Sequence, residues 1–94
     1  MNELGKELRK LREAKEILLR QVSSFLEVDT GLMSKIERGE RNLHREQVLK
    51  LSEYYNIDES KLLTLWLSDK VLNAVEDEPL AIPGIKQALK KLNK

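Results

Sequence analysis

The sequence predicts an all-α fold, a bundle of five helices with a short C-terminal helical extension. Apolar residues recur at intervals of three and four along most of the chain, which is the spacing of one face of an α-helix. No stretch shows the apolar–polar alternation that indicates a half-buried strand. The 94 residues suit a single hydrophobic core, and the absence of cysteine excludes a disulfide framework.

The first two helices follow from this spacing. Leu4, Leu8 and Leu11, separated by charged residues, predict a helix at about residues 3–15. A second helix is expected at residues 18–26.

A third helix is expected after a tight turn, at about residues 29–38. Asp29 is a good N-cap, because its carboxylate can accept from the amide of residue 31 or 32, and Gly39 is a natural C-terminal stop. A short helix, a tight turn and a second short helix form the motif that places a helix in the DNA major groove. One apolar face runs across both helices: Val22, Leu26, Val28, Met33 and Ile36.

The fourth helix is predicted from Arg45 to Tyr55, with Asn56 as a left-handed terminator. Asp58 caps a fifth helix that begins near residue 59. The apolar residues of this fifth helix form two stripes, although a helix packed on one side needs only one. The second stripe implies another partner surface, either the C-terminal tail or another copy of the chain. One stripe contains Leu63, Leu67, Val71, Ala74 and Val75, and the other contains Leu62, Leu65, Trp66 and Leu72.

An acidic block at residues 76–78, followed by Pro79, interrupts the helical pattern. After Pro83 and Gly84, residues 85–92 are expected to form a short amphipathic helix that docks against the fifth helix. We therefore divide the chain into a helix-turn-helix domain at residues 1–67 and a second part at residues 68–94. This second part continues the fifth helix and serves in dimerisation or tail docking.

The formal net charge of +1 hides an uneven distribution of charge. Residues 1–50 hold 11 Lys or Arg and 9 Asp or Glu, residues 51–80 hold 2 and 7, and residues 81–94 hold 4 and none. The front of the chain is therefore mildly basic, and local cations are what phosphate binding depends on. We expect a cytoplasmic protein, because no signal-peptide core and no membrane-spanning run occurs.

No catalytic or metal-binding constellation is recognisable. His44 has no companion ligands and is expected at a helix start, and the pair Ser23–Ser24 has no base partner. We therefore expect no enzyme activity, no metal, no cofactor and no small-molecule effector.

The segment Met33–Asn42, with the sequence MSKIERGERN, closely resembles the xenobiotic-response-element or lambda-repressor-like helix-turn-helix family. That family's recognition helix ends in a similar Ser-Lys-Ile-Glu-x-Gly pattern. Residues 8–13 resemble the family's first helix and residues 57–63 the start of its fifth, so the resemblance covers about residues 3–67. It implies a five-helix domain that binds double-stranded DNA as a two-fold homodimer.

The resemblance also implies roles for individual residues. Arg12 and Glu37 match an ion pair between the first helix and the end of the third. The face toward the base edges is formed by Thr30, Gly31, Ser34 and Lys35, with Leu32 at its margin. Arg38 and Arg41 fall at backbone contacts. The resemblance implies nothing beyond residue 67, and the remaining assignments come from the residues themselves. Arg45 at the start of helix 4 opposes the helix dipole and so suggests an outside anion. The second apolar stripe of the fifth helix assigns Leu65, Trp66 and Leu72 to the dimer interface.

The sequence departs from the family pattern in three respects, at four positions. The family's Ser or Thr cap and phosphate-binding Gln of helix 2 are replaced by Leu18 and Leu19, so Arg20 is the expected substitute. Glu27 stands at the turn and Glu16 at the end of helix 1, where the family has glycine. A non-glycine residue in the left-handed conformation costs about 1 kcal/mol.

The sequence therefore predicts a DNA-binding transcriptional regulator, a homodimer on a partly palindromic operator. A narrower form of this prediction is a restriction–modification controller or a phage-type repressor, since controllers often show the pattern found at Ile36–Asn42. The alternative is a protein-interaction module that uses the same fold, with the apolar fifth helix as its binding surface.

Overall fold

The computed structural model describes residues 2–93, which form six α-helices and no strand. The prediction of an all-helical chain is confirmed, and the first five helices lie at the expected positions. The helices are α1 at Glu3–Ala14, α2 at Leu19–Leu26, α3 at Thr30–Glu37, α4 at Arg45–Tyr54, α5 at Glu59–Ala74 and α6 at Ala81–Leu92.

The first five helices pack around one core. Helix α1 contacts α3 and α5, α2 contacts α3 and α4, and α4 packs along α5. The periodic leucines that predicted α1 supply two of the most buried residues, Leu4 and Leu8. The fully or nearly fully buried side chains are those of Leu4, Leu8, Val22, Leu26, Met33, Ile36, Leu43, Val48, Leu51, Tyr55 and Leu62.

Helices α1 to α4 each end at a residue with a left-handed backbone. These residues are Glu16, Glu27, Gly39 and Asn56, with φ of 54°, 59°, 81° and 53°. After each helix, two amides return to carbonyls of its last turn, as in Schellman motifs. The predicted left-handed turns are thus present. Of the four residues, only Gly39 is a glycine, the residue type that adopts this conformation without strain.

Replacing Glu27 with glycine is expected to stabilise the protein by about 0.5–1 kcal/mol. The left-handed backbone costs a glutamate about 1 kcal/mol or more, and the greater freedom of glycine in the unfolded chain offsets part of that gain. Urea unfolding followed by circular dichroism measures the change. Glu53→Gly, inside α4, is the matched control: there the backbone is helical, so the same substitution should destabilise by about 0.5–1 kcal/mol.

The C-terminal part differs from the prediction in two respects. Helix α6 begins at Ala81, four residues before the expected start, because Pro83 is tolerated in a first turn, where its missing amide has no helical acceptor. None of its residues is buried, and only Ala81 and Ile85 are half-buried, so α6 leaves Ile82, Leu89 and Leu92 exposed instead of docking its whole apolar face on α5. The radius of gyration of 14.9 Å exceeds the roughly 12 Å of a compact chain of this length, which reflects this projection.

Helix α5 runs without interruption past residue 67, where we placed the end of the first domain, to Ala74. Of its two apolar stripes, the one with Leu62, Leu65 and Trp66 faces the core. No helix in residues 2–93 is long and apolar enough to span a membrane.

Candidate nucleic-acid interface

The turn between α2 and α3 sets the direction of α3. Glu27 in its left-handed conformation reverses the chain, and the amide of Val28 donates to the carbonyl of Ser23 at 3.0 Å. Asp29 then caps α3, since its Oδ1 accepts from the amide of Leu32 at 2.6 Å. Because the turn is short and both its ends are hydrogen-bonded, α3 has a fixed orientation on α2.

Helix α3 has a buried face and an exposed face. Met33, Ile36 and Glu37 are buried, and they hold the helix against α1 and α2. Among the residues expected to face the bases, Thr30, Gly31 and Lys35 are exposed, and Leu32 and Ser34 are half-buried. The short side chains lie at the start of the exposed face and the cation lies near its end, which is a shape that a major groove accepts.

Arg12 and Glu37 form a two-pronged ion pair between α1 and the end of α3. The Nε of Arg12 donates to Oε2 of Glu37 at 2.8 Å, and Nη2 donates to Oε1 at 3.1 Å. A third donor, Nη1, reaches the carbonyl of Ile17 at 3.0 Å, beyond the end of α1. The side chains are only 15% and 4% exposed, so solvent screens the pair weakly.

The surroundings of this ion pair shift two pKa values. The hydrogen bond with Glu37 raises the pKa of the Arg12 guanidinium. Burial raises the pKa of the Tyr55 hydroxyl, and the Glu37 carboxylate raises it further. Tyr55 Oη has no hydrogen-bond partner within residues 2–93. Both shifts favour the form that each group already has at neutral pH, which is charged for Arg12 and neutral for Tyr55.

A close approach of α1 to α3 also holds α3 in place, and no pattern in the sequence indicates it. A Cβ on Gly5 would lie 2.7 Å from the carbonyl oxygen of Glu37 and 2.8 Å from that of Ile36. Those oxygens are main-chain atoms, so they cannot swing away. Gly5 therefore lets the first turn of α1 contact the last turn of α3, and a larger residue would force the two helices apart.

The N-terminus of α1 is capped by a residue of α5. The Asp69 carboxylate is buried, and its two oxygens accept from the amides of Glu3 at 2.9 Å and Leu4 at 3.0 Å. Asn2 caps the same end through its side-chain oxygen, which accepts from the amide of Gly5. Sequence reasoning missed Asp69, because a carboxylate on an apolar stripe gives no indication of a partner 66 positions away.

Arg38, Ser34 and Glu40 form a small network on the exposed side of α3. The Nε of Arg38 donates to Oε2 of Glu40 at 2.7 Å, and its Nη1 donates to the Ser34 hydroxyl at 3.1 Å. The hydrogen bond from Arg38 lowers the pKa of the Glu40 carboxyl. Two residues that we assigned to separate roles are thus joined to each other, and Arg38 is already paired with a carboxylate.

The other predicted cations, Lys35, Arg41, Arg20 and Arg45, have no such partner within residues 2–93. Arg41 shares a shallow surface depression with Asp29, Gly31, Leu32 and Lys35. Arg20 and Arg45 are exposed in the first turns of α2 and α4, and none of these four cations forms an ion pair with a carboxylate of residues 2–93.

The departures at the start of α2 have structural consequences. Leu18 occupies the cap position without a side-chain bond, and its amide donates to the Gln21 side chain at 2.7 Å. Leu19 is half-buried and packs against the core, so this position offers nothing to a phosphate.

The three residues that we assigned to the dimer interface lie on the inner side of α5. Leu65 and Trp66 pack against the core, Trp66 Nε1 donates to the carbonyl of Leu43 at 2.8 Å, and Leu72 is half-buried. The outer stripe is the more exposed one, since Leu67 and Val71 are 50% and 47% exposed.

The fold and this surface together define a helix-turn-helix protein of the DNA-binding class. A protein-family model described as a helix-turn-helix domain matches residues 3–65, which is about two thirds of the chain. The chain belongs to this helix-turn-helix family, which is of the xenobiotic-response-element and lambda-repressor-like type.

The chain is also similar in fold to a protein of known structure. This is the clp gene regulator ClgR from Corynebacterium glutamicum, with a TM-score of 0.60 and 24% sequence identity over 80% of each chain. At this identity the similarity shows the fold alone. No curated protein matches the sequence.

Proposed function

We propose that this protein is a sequence-specific transcriptional regulator that binds double-stranded DNA as a homodimer on a partly palindromic operator. The observation that carries the proposal is the two-faced geometry of α3, which buries its apolar residues in the core and exposes Thr30, Gly31 and Lys35 on the side where Arg41 lies. The regulator with a similar fold supports the same class of function. A cytoplasmic location accords with this function.

Helix α3 would enter the major groove with its N-terminal half nearest the bases. Thr30 offers a hydroxyl for hydrogen bonding and a methyl group for contact with thymine, and Lys35 can reach the acceptors of guanine. Gly31 permits close approach of the backbone, and Leu32 lies at the edge of this contact. Ser34 is assigned to the same face, but its hydroxyl first has to share or release the bond from Arg38.

The cations around α3 would hold phosphates and fix its register. Arg41 and Arg20 are the strongest candidates, because each is exposed and free of carboxylates within residues 2–93, and Arg45 extends the set at α4. Arg38 can join only by exchanging Glu40 for a phosphate. A two-fold dimer would place two α3 helices one helical turn apart, about 34–36 Å or 10 bp.

The proposed dimer interface is α5 with the tail. Leu65 and Trp66 support this interface indirectly, because they pack the inner side of α5 against the core, and the half-buried Leu72 lies at the edge of that inner side. The surface offered to a partner is the outer stripe with Leu67 and Val71.

Replacing Lys35 with alanine is expected to weaken binding to the preferred operator by about 1–3 kcal/mol and to leave binding to random DNA much less affected. The reason is that a base contact is made on one sequence only. Fluorescence anisotropy with the two duplexes at one fixed salt concentration measures both affinities. Equal losses on both duplexes would assign Lys35 to the phosphates instead.

Replacing Arg41 with alanine is expected to weaken all duplexes alike. Loss of one phosphate contact releases about one counterion fewer, so the slope of log affinity against log salt should flatten by about one unit. Lys50→Ala, at an exposed cation of α4 outside the depression around α3, is the matched control. If Arg41→Ala leaves the slope as steep as this control does, Arg41 is not a phosphate ligand.

Selection of bound fragments from a random duplex pool tests the whole proposal at once. An enriched sequence with two inverted half-sites about 10 bp apart is the expected result. No enrichment at modest ionic strength would reject sequence-specific DNA binding.

A protein-interaction module remains the second candidate, and two observations favour it. Apolar residues of α5 and α6 are exposed, and the phosphate anchor of helix 2 is missing. In that case Val71→Asp would abolish partner binding, whereas Lys35→Ala would have no effect. A narrower form of the first proposal is a restriction–modification controller or a phage-type repressor. This narrower form rests on the pattern at residues 36–42.

A further inference from the structure

Two apolar surfaces of this chain lie largely open to solvent, and in each of them one residue, Val75 or Ile85, is half-buried. The first is the outer stripe of α5, here defined as Leu67 and Val71 with their neighbours Ala74 and Val75. The second is the apolar face of α6. It consists of Ile82, Ile85, Leu89 and Leu92, of which Leu89 is 52% exposed and Leu92 is 81% exposed.

Helix α6 has little stability of its own. It has 12 residues, and isolated helices shorter than about 12–15 residues are marginal in water. Its four apolar side chains lie on one side, and three lysines lie elsewhere on the helix. A short helix with this pattern gains its stability from packing of the apolar face, so some surface has to cover it.

A short hydrogen-bonded linker joins α5 to α6. Residues 75–80 are held in a compact turn, because the amide of Glu78 donates to the carbonyl of Val75 at 3.0 Å and the amide of Ala81 donates to that of Glu78 at 3.1 Å. Asp77 within the turn has a left-handed backbone, with φ of 62°. Within residues 2–93, α6 makes no extensive contact with another helix, and the longest dimension of the molecule is 42 Å.

We infer that α6 is an exchanged arm, whose apolar face covers the outer stripe of α5 in a second copy of this chain. This inference rests on the homodimer of the proposed function and specifies how that dimer is held together. A two-fold axis forms the same contact twice, so each arm has to supply only half of the roughly 1,200–2,000 Å² that stable interfaces bury.

The charges of α6 and of the α5 region favour contact between the arm of one copy and the outer stripe of another. Residues 81–94 carry 4 Lys and no acidic residue, whereas residues 51–80 carry 7 acidic and 2 basic residues. Three of these acids, Glu76, Asp77 and Glu78, are exposed just beyond the outer stripe of α5. An arm that lies on a partner's α5 therefore brings lysines toward carboxylates, whereas direct packing of α5 on α5 would bring acidic linkers together.

A mixing experiment between two variants of the full-length chain tests the exchange. Val71→Asp damages the stripe and Leu89→Asp damages the arm, and each homodimer then contains two damaged contacts. We expect the dissociation constant of each variant to rise at least about 100-fold, as measured by sedimentation equilibrium. In an equimolar mixture, the heterodimer retains one intact contact, so it should form about tenfold more tightly than either homodimer.

Gln87→Asp is the matched control, because residue 87 lies on α6 opposite the apolar face and is exposed. It should leave the dimer unchanged. Trp66→Ala is unsuitable as a test because Trp66 packs against the core. Since the chain has no cysteine, disulfide formation gives a second measurement. Copies carrying only Val71→Cys should form a mixed disulfide with copies carrying only Leu89→Cys. Copies carrying only Gln87→Cys should form no disulfide with the Val71→Cys copies.

The outcomes separate this inference from the proposed function. Recovery of the dimer on mixing, with the mixed disulfide, supports the exchange. If Leu89→Asp remains dimeric and still binds its operator, the inference of an exchanged arm is overturned, whereas the proposed function as a transcriptional regulator is not. If the mixture stays as monomeric as its components, the arm does not cross between copies. If the unaltered chain is monomeric and binds no duplex selectively, both proposals fail.

Discussion

Replacing Arg12 with alanine is expected to destabilise the protein by about 3–5 kcal/mol, which is a large part of the stability of a small domain. The substitution leaves the Glu37 carboxylate, only 4% exposed, without its cation and without both of its side-chain hydrogen bonds. It also removes the donor to the Ile17 carbonyl. Urea unfolding monitored by circular dichroism at neutral pH measures the loss of stability.

Two variants identify the cause of that loss. Arg12→Lys keeps the charge but cannot supply the two-pronged bond, so it should lose part of the stability. In the double variant Arg12→Met with Glu37→Leu, apolar residues replace both charges. It should therefore be much more stable than Arg12→Ala. A loss below about 1 kcal/mol for Arg12→Ala would show that solvent reaches and screens the pair.

Replacing Asp69 with alanine is expected to destabilise the protein by about 2–3 kcal/mol. The Asp69 carboxylate accepts from the amides of Glu3 and Leu4, and no residue of the helix itself can replace it, because the first amides of a helix lack internal acceptors. Leaving such donors unsatisfied costs about 1–3 kcal/mol for each buried group. The midpoint of urea unfolding measures the effect.

Asp69→Asn is the informative companion, since the amide retains one acceptor oxygen where the carboxylate has two. It should fall between the wild type and Asp69→Ala. Ser68→Ala, at the exposed neighbouring position of α5, should change the stability by less than about 0.5 kcal/mol. If Asp69→Ala unfolds at the wild-type urea concentration, Asn2 or water satisfies these amides and Asp69 contributes little.

Both of these predictions concern the support of α3, not its exposed face. Arg12 attaches the end of α3 to α1, Gly5 lets the two helices approach, and Asp69 attaches α1 to α5. The helix proposed to read DNA is thereby joined to the helix proposed to form the dimer. We therefore expect Asp69→Ala to reduce operator affinity more than the fraction of unfolded protein alone explains.

The helices and their ends could be predicted from the sequence because both depend on neighbouring residues. The spacing of Leu4, Leu8 and Leu11 determines α1, and the Asp29 cap and the left-handed turns follow from local backbone preferences. The start of α6 was placed four residues late, because Pro83 was interpreted as a boundary although a first helical turn accepts it.

The interface residues of α3 were predicted from the same local information together with the family resemblance. The exposed positions of Thr30, Gly31 and Lys35 follow from the helical period once Met33 and Ile36 are assigned to the core. The bond between Arg38 and Ser34, and the pairing of Arg38 with Glu40, depend on side-chain conformations that a sequence pattern does not specify.

The sequence by itself determined the helical periods, the capped turn before α3 and the exposed cations beside it, since these follow from residues a few positions apart. Only the tertiary structure decided which stripe of α5 faces the core, that Asp69 caps α1, and that α6 leaves its apolar face uncovered. Two stripes of similar composition satisfy the same helical period. The choice between them depends on which helices pack alongside, and residues far apart in the chain determine that packing.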